Sequence, residues 1–385
     1  MSKLDELIAE LCPNGVEYAP LGKVLKNNNA SDSVSKKDYK NVGEIPIIDQ
    51  SQSYIAAYTD NESAVPPILP CIIFGDHTRV VKYADQKFAQ GDSGTKVFIP
   101  VSKNINARYI YYVFCNLNIL SRGYNRHWSI VKDIEVPLPP LPVQCEIVRI
   151  LDNFTELTEE LTEELTARKK QYEYYRDDLF AFNHDVPQNT LGEIAIDMYR
   201  GSGIKRDQVA ETGTPCVRYG EIYTTYNIWF DTCVSHTNAK DIQNKKYFEH
   251  GDILFAITGE SVSEIGKSCV YVGHEKCLAG GDIVVMKHNE NPKYLAYALS
   301  TFDAQMQKSK GKVKSKVVHS SIPALKAIEI PIPPIEEQAR IVAILDRFDA
   351  LVNDIAYGLP AEIEARRKQY EYYRDKLLTF EEASA

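Results

Sequence analysis

Gly266-Lys267-Ser268 and Asn291-Pro292-Lys293-Tyr294 are the stretches of this chain whose residue types come nearest to catalytic chemistry. The first has the Lys and hydroxyl with which a phosphate-binding loop neutralises phosphates and holds Mg2+. That loop also needs glycine at position 261, where this chain has Ser261. The second lacks the second proline of the Asn-Pro-Pro-Tyr found in adenine methyltransferases, and no glycine-rich cofactor loop precedes it. It reads as a plain helix start. The eight histidines show no ligand spacing, and there is no His-Glu-x-x-His or Gly-x-Ser-x-Gly. The eight cysteines include no Cys-x-x-Cys pair. They are expected to be reduced and mostly buried, with no zinc site and no disulfide framework. No catalytic residue and no metal site is assigned.

What remains is positive charge on glycine-bearing loops. Gly75–Arg79 carries His77 and Arg79, and Ser121–Trp128 carries Arg122, Asn125, Arg126 and His127. Later in the chain, Tyr199–Arg206 carries Arg200, Lys205 and Arg206, with Arg218 and Lys267 further on. Lys308, Lys310, Lys312, Lys314 and Lys316 alternate around Gly311. Mobile basic loops can follow a phosphate backbone, and Arg or Asn can read base edges. Each loop alone reads as a solvated charged loop, and the Lys alternation also suits an exposed strand edge guarded by charge. Their recurrence at matching places in two halves of the chain favours a polyanion.

The elements that must position these loops are laid out as a repeat. IEVPLPPLPVQCEIVRILDNF at 134–154 matches IEIPIPPIEEQARIVAILDRF at 328–348, and RKKQYEYYRD at 168–177 matches RRKQYEYYRD at 366–375. APLGKV at 19–24 resembles NTLGEI at 189–194. Each half therefore runs from a Leu-Gly start through a variable block to a proline-rich exit and a helix. The expected organisation is an N-terminal helical segment (1–20), a first block (21–141), a first spacer helix (142–189), a second block (190–334) and a second spacer helix (335–385). A kink is expected near 358–360, at Gly358-Leu359-Pro360.

Proline forbids a helix before Val143, and from there the stripe Ile147, Leu151, Phe154, Leu161, Leu165, Tyr172, Tyr175, Leu179, Phe182 steps by threes and fours. Such a helix is roughly 60 Å long. Ile341, Leu345, Phe348, Val352 and Ile355 begin the same stripe in the second copy, and Ile363, Tyr370, Tyr373, Leu377 and Phe380 resume it. The two helices are expected to pair antiparallel, the alternative being that each packs on its own block. TELTEELTEELT at 155–166 reads either as a solvated acidic face with a leucine seam or as a spacer built of four-residue units. Strands are expected at 65–76, 95–101, 214–224, 251–258, 267–273 and 280–287, and helices at 107–120 and 291–307. Each block is thus a mixed α/β domain with a mainly antiparallel sheet, giving an α/β (α+β) fold with an internal pseudo-two-fold.

The net charge of −9 argues against nucleic acid only weakly, because the excess acid is local. Residues 142–189 carry 5 basic and 11 acidic side chains, and residues 335–385 carry 7 and 11, whereas residues 21–141 carry 14 and 11. No apolar run suits a bilayer, so a cytoplasmic protein is expected. The start, MSKLDELIAELCPNG, reads as a small amphipathic helix rather than a signal peptide.

In this order and duplication, the Leu-Gly starts, proline exits, ILDNF/ILDRF helices and QYEYYRD copies resemble the specificity subunit of type I restriction–modification systems. The TEEL unit followed by RKKQYEYYRD resembles the type IC subgroup. The resemblance implies two target-recognition domains held apart by the helix pair, each reading half of an asymmetric, bipartite double-stranded DNA target. It implies no cofactor on this chain. S-adenosylmethionine would sit on two partner modification subunits, joined by motor–nuclease restriction subunits, and no membrane would be involved. The repeated segment, with Arg168, Lys169, Tyr172, Tyr175 and Arg176, and Arg366, Arg367, Tyr370, Tyr373 and Arg374, is the candidate partner surface, although its tyrosines fall on the packing stripe. The rival readings are a helical scaffold or inhibitory protein that ignores DNA, and a self-contained DNA enzyme.

Overall fold

A computed structural model describes residues 2–182, 185–312, 317–353 and 358–383. The chain forms two compact units, Met1–Thr162 with Ile363–Ala385, and Glu163–Glu362. The first unit therefore holds the first variable block and the second QYEYYRD copy. The second unit holds the second block and the first copy.

In the first unit, the helix Lys3–Leu11 starts from a capping box between Ser2 and Asp5 and buries Leu4. Strand Glu17–Pro20 pairs antiparallel with the proline-rich exit Glu135–Leu138. A four-stranded antiparallel sheet has the order Leu25–Asn27, Thr95–Pro100, Cys71–Gly75, Val81–Ala84. A smaller sheet orders Ala57–Thr59, Ile45–Ile48, Ala89–Gln90. The run Cys-Ile-Ile-Phe at 71–74 is apolar throughout because both faces are covered. Ile72 and Phe74 join one core with Tyr109 and Phe114, and Cys71 and Ile73 join another with Phe88 and Val97. The expected strand at 65–70 is absent, since Pro66, Pro67 and Pro70 cannot donate to a ladder.

The second unit repeats the frame. Gln188–Thr190 pairs with Glu329–Pro331. One five-stranded sheet has the order Asp197–Arg200, Ile283–Lys287, Ile253–Ala256, Ser268–Tyr271, Trp229–Phe230, antiparallel except for its last pair. A second sheet orders Val209–Ala210, Ser235–Thr237, Thr214–Val217, Cys277–Ala279, Tyr247–Phe248. The central strand is again buried on both faces, Ile253 and Phe255 on one side and Leu254 and Ala256 on the other. The expected strand 214–224 stops at Val217, because Glu221 reaches back to accept the Arg218 amide at 3.0 Å and so caps the start of a helix at Tyr219–Thr224. The expected helix 291–307 is two, Pro292–Ala298 and Phe302–Ser309. Thr301 ends one and caps the other by accepting from the Ala304 amide.

The first spacer helix runs unbroken over Leu141–Leu179. It starts before Pro142 rather than after it, because the first turn has amides to spare and tolerates proline. Within the first unit Phe154 stacks on Tyr373 at 5.5 Å, and Thr158 and Glu159 share a groove with Arg367 and Tyr370, so the helices run antiparallel. Within the second unit Tyr175 stacks on Phe348 at 5.8 Å. The second spacer consists of Ile335–Asn353 and Leu359–Leu377, with Pro360 in the first turn of the latter. Ile355 lies outside the described residues, whereas Gly358-Leu359-Pro360, where the kink was expected, stands at the start of the second of these helices.

Candidate nucleic-acid interface

In each unit the central strand delivers a loop that a second loop is tied against. In the first unit that loop is Gly75–Arg79. Buried Asp76 accepts the Trp128 amide at 2.8 Å, and its carbonyl accepts the His127 amide at 2.8 Å and lies 2.9 Å from His127 Nδ1. His127 Nε2 then accepts the Arg122 amide at 3.2 Å, which fixes the ring as the Nδ1–H tautomer. His127 is fully buried, so it is a tie and not the surface group its loop suggested. Thr78 donates to the Gln50 carbonyl at 2.6 Å. A Cβ on Gly75 would lie 2.2 Å from Thr78 Oγ1, which keeps that position glycine.

These ties bring His77, Arg79, Arg122, Asn125 and Arg126 to one place. Arg79, at φ 64°, donates to the Ile119 carbonyl at 2.8 Å. Asn125 donates to the Arg122 carbonyl and closes the loop turn. His77 stacks on Tyr124, a residue that charge and spacing did not single out.

In the second unit Thr258–Gly259 pairs with Val318–His319, bringing the loop after the central strand to the Lys-rich segment. Lys310 and Lys312 flank the turn at Gly311 and are exposed and half-exposed, respectively. Lys314 and Lys316 lie outside the described residues. Lys308 is not part of the surface: it is 5% exposed and donates to the Leu299 carbonyl at 2.6 Å. Arg206 and Arg218 border a glycine-floored cleft with Gly203, Tyr219, Gly280 and Gly281. Glu221 holds Arg218 at 3.0 Å, and Arg200 is held by Asp282 and the Gly281 carbonyl; Lys205 is exposed. Lys267 is elsewhere, donating to the Tyr223 carbonyl at 3.2 Å and sharing a groove with Glu173 and Arg176 of the spacer helix.

Burial pushes the Lys308 amine down to about 7, with Arg176 adding to the effect. The unfolded chain therefore binds more protons than the folded one between about pH 7 and 10.4, so stability should rise with pH across that window. Lys308→Met is expected to raise Tm most at pH 7 or below, with the gain shrinking toward pH 10, as thermal denaturation across pH would show. A gain independent of pH would contradict this.

The repeat's own logic lies in a second set of residues. Asn106 and Asn291 begin equivalent helices, and their amides donate to Gln144 and Gln338 at 2.8 and 3.0 Å. Those glutamines donate back to Pro139 and Pro333 carbonyls at 2.7 and 2.9 Å. Tyr109 and Tyr294 donate to the Pro137 and Pro331 carbonyls. Tyr112 and Tyr297 donate to Asp152 and Asp346, which also pair with Arg108 at 3.0 Å and Lys293 at 2.8 Å. Each block is thus fastened to the start of the spacer helix that follows it by the same clamp. The sequence signal was there in Asn-x-Arg/Lys-Tyr-x-x-Tyr at 106–112 and 291–297.

The QYEYYRD copies also keep one geometry. Arg176 and Arg374 pair with the adjacent Asp177 and Asp375 at 2.8 Å and lie over Tyr172 and Tyr370. Tyr172 is 6% exposed and in the core, and the Arg176 side chain is 12% exposed, so neither offers the partner surface expected of it. Tyr174 and Tyr372 face out, edge-on to Tyr175 and Tyr373, of which Tyr175 is also 40% exposed and Tyr373 half-buried. Arg168, Lys169 and Arg367 are exposed beside them, while Arg366 is half-buried and donates to Gln369 at 3.2 Å.

Among the described residues no helix is long and apolar enough to cross a membrane, and no group of His, Cys, Asp or Glu is placed to hold a metal. A family model described as the type I restriction modification DNA specificity domain matches residues 13–168 and 188–365. The EcoR124I/EcoR124II specificity subunit of Escherichia coli is 32% identical, over 99% of this chain and 97% of that one. A putative type I specificity subunit of Haemophilus influenzae is 31% identical, over 95% and 96%. Among solved structures, a chain of a type I restriction–modification complex superposes with a TM-score of 0.62 at 15% identity, covering 95% and 98%. The S subunit from M. genitalium superposes with a TM-score of 0.55, also at 15% identity, covering 94% and 96%; these likenesses concern the fold. With both halves matched in turn and the alignment to the E. coli relative running end to end, the chain belongs to the specificity-subunit family of type I restriction–modification systems.

Proposed function

We propose that this chain is the non-catalytic DNA reader of a type I restriction–modification assembly, each variable block reading half of an asymmetric, bipartite duplex target. The observation that carries this is the pairing of basic loops at the end of the central strand in both units, on a frame whose clamps repeat while the loops differ. Equal frames hold the two readers alike, and unequal loops read different bases. The matched QYEYYRD surfaces, with outward Tyr174 and Tyr372, suit two copies of one partner, taken to be modification subunits. S-adenosylmethionine belongs on those subunits, which would take the target adenine out of the duplex. Restriction subunits complete the assembly, which would work on chromosomal DNA in the cytoplasm.

Replacing Lys205, Arg206, Lys310 and Lys312 together with Ala tests the reading. In the complex with modification subunits, affinity for the target duplex should fall at least tenfold. The slope of log K against log salt should shrink by roughly 0.9 for each lost phosphate contact. Unchanged affinity and slope would favour a scaffold that ignores DNA.

A further inference from the structure

Tyr124 is 81% exposed, at the tip of a turn whose Gly123 sits at φ 68°, with Arg122 and Arg126 two residues to either side. Leaving an aromatic ring this bare on a basic loop forgoes the burial that usually keeps it in a core. The ring is not loose. One face lies on the His77 imidazole, at 4.4 Å between centroids and 7° between planes. His77 Nδ1 is buried without a hydrogen-bond partner, so stacking surface and not hydrogen bonding is what this atom's side of the imidazole supplies. The His77 amide is itself held by Gln50 Oε1 at 3.3 Å, within the loop that Asp76 ties to Trp128.

We propose that Tyr124 is a base-reading residue that recognises a thymine 5-methyl group in the half-site of the first block, with His77 as its positioning residue. This rests on the DNA-reading function proposed above. The stacked face bears on the choice of contact. A ring wedged between base pairs needs both faces, and His77 already covers one. In the major groove of an intact duplex, bases present edges rather than faces, and the thymine methyl is the apolar group among them. The open face of Tyr124 can receive that methyl while Arg122, Arg126 and Arg79 meet phosphates on either side.

The test uses the complex with its modification subunits and its mapped target. Each thymine of the first half-site is replaced in turn by deoxyuridine, which removes the methyl and leaves the pairing. At one position the wild-type complex should lose roughly threefold to tenfold in affinity, about what burial of one methyl group is worth. Tyr124→Ala should bind the thymine target more weakly and lose the distinction. Tyr124→Phe should keep it. His77→Ala should reduce the ratio, and His77→Phe, which retains the stacking surface, should restore it. A half-site without thymine on either strand, no sensitive position in the wild type, or a ratio that survives Tyr124→Ala would overturn the role of Tyr124. Loss of the ratio in His77→Phe would overturn positioning by stacking. A complex that binds no specific duplex at all would instead sink the DNA-reading function itself.

Discussion

Inserting one further Thr-Glu-Glu-Leu unit after Leu165 is expected to lengthen the gap between the two halves of the DNA target by one or two base pairs and leave both halves unchanged. The helix Leu141–Leu179 passes through the existing units without a break. Four residues add roughly 6 Å, against about 3.4 Å per base pair. They also turn the helix by about 400°, so the stripe beyond the insertion comes back to within about 40° of its former direction. Leu161 and Leu165 are half-buried and Leu157 is exposed, so the segment has slack to absorb that residual twist. A two-residue insertion is the control. It turns the stripe by about 200°, moving Tyr172 out of its core, and should abolish assembly with the modification subunits. Methylation mapping of each variant is the readout. Altered half-sites with an unaltered gap would refute a spacer role for this helix.

Asp346→Ala is expected to destabilise the second unit by about 2–4 kcal/mol, visible as a Tm lowered by several degrees and a lower denaturant midpoint. Asp346 accepts from Tyr297 at 2.7 Å and from Lys293 at 2.8 Å. Tyr297 is fully buried, so losing its acceptor leaves an unsatisfied hydroxyl rather than one that water can reach. Lys293 also lies over the Trp229 ring at 4.1 Å and is half-exposed, so its share is smaller. Asp346→Asn, which keeps an oxygen for Tyr297 and removes the charge, should cost about 1 kcal/mol. In the complex, the Ala variant should impair reading of one half-site more than the other, because Asp152 still clamps the first block. Equal impairment of both halves, or no change in Tm, would contradict the clamp.

The two variants mark where the sequence was legible. The long helices and their stripe could be read because apolar residues stepping by threes and fours over nearly forty positions fit one face of a helix and no strand or loop. Proline punctuation marks their starts within a residue or two. The fastening of each block to its helix was half-legible. Gln144 and Gln338, and Asp152 and Asp346, stand at equal places in both exits, but their partners come from a helix start that resembled a broken catalytic motif. The loops resisted reading. Lys308 looks like its neighbours in sequence, yet the fold buries it against a helix end. Arg218 starts a helix because Glu221 lies three residues on, a local signal outweighed by the β-branched and aromatic run around it. Tyr124 carries no charge and no period. Its importance depends on a ring that arrives from a loop more than forty residues earlier, a juxtaposition only the tertiary structure makes.

Sequencing the methylated adenines in a host that expresses this chain with its modification subunits tests the central claim most directly. The expected result is one asymmetric motif with two specific parts and a fixed unspecific gap, and one methylated adenine in each part on opposite strands. Exchanging residues 190–334 for those of a relative should then change one part and leave the other. An unbroken or symmetric motif, or an exchange that alters both parts, would contradict the account.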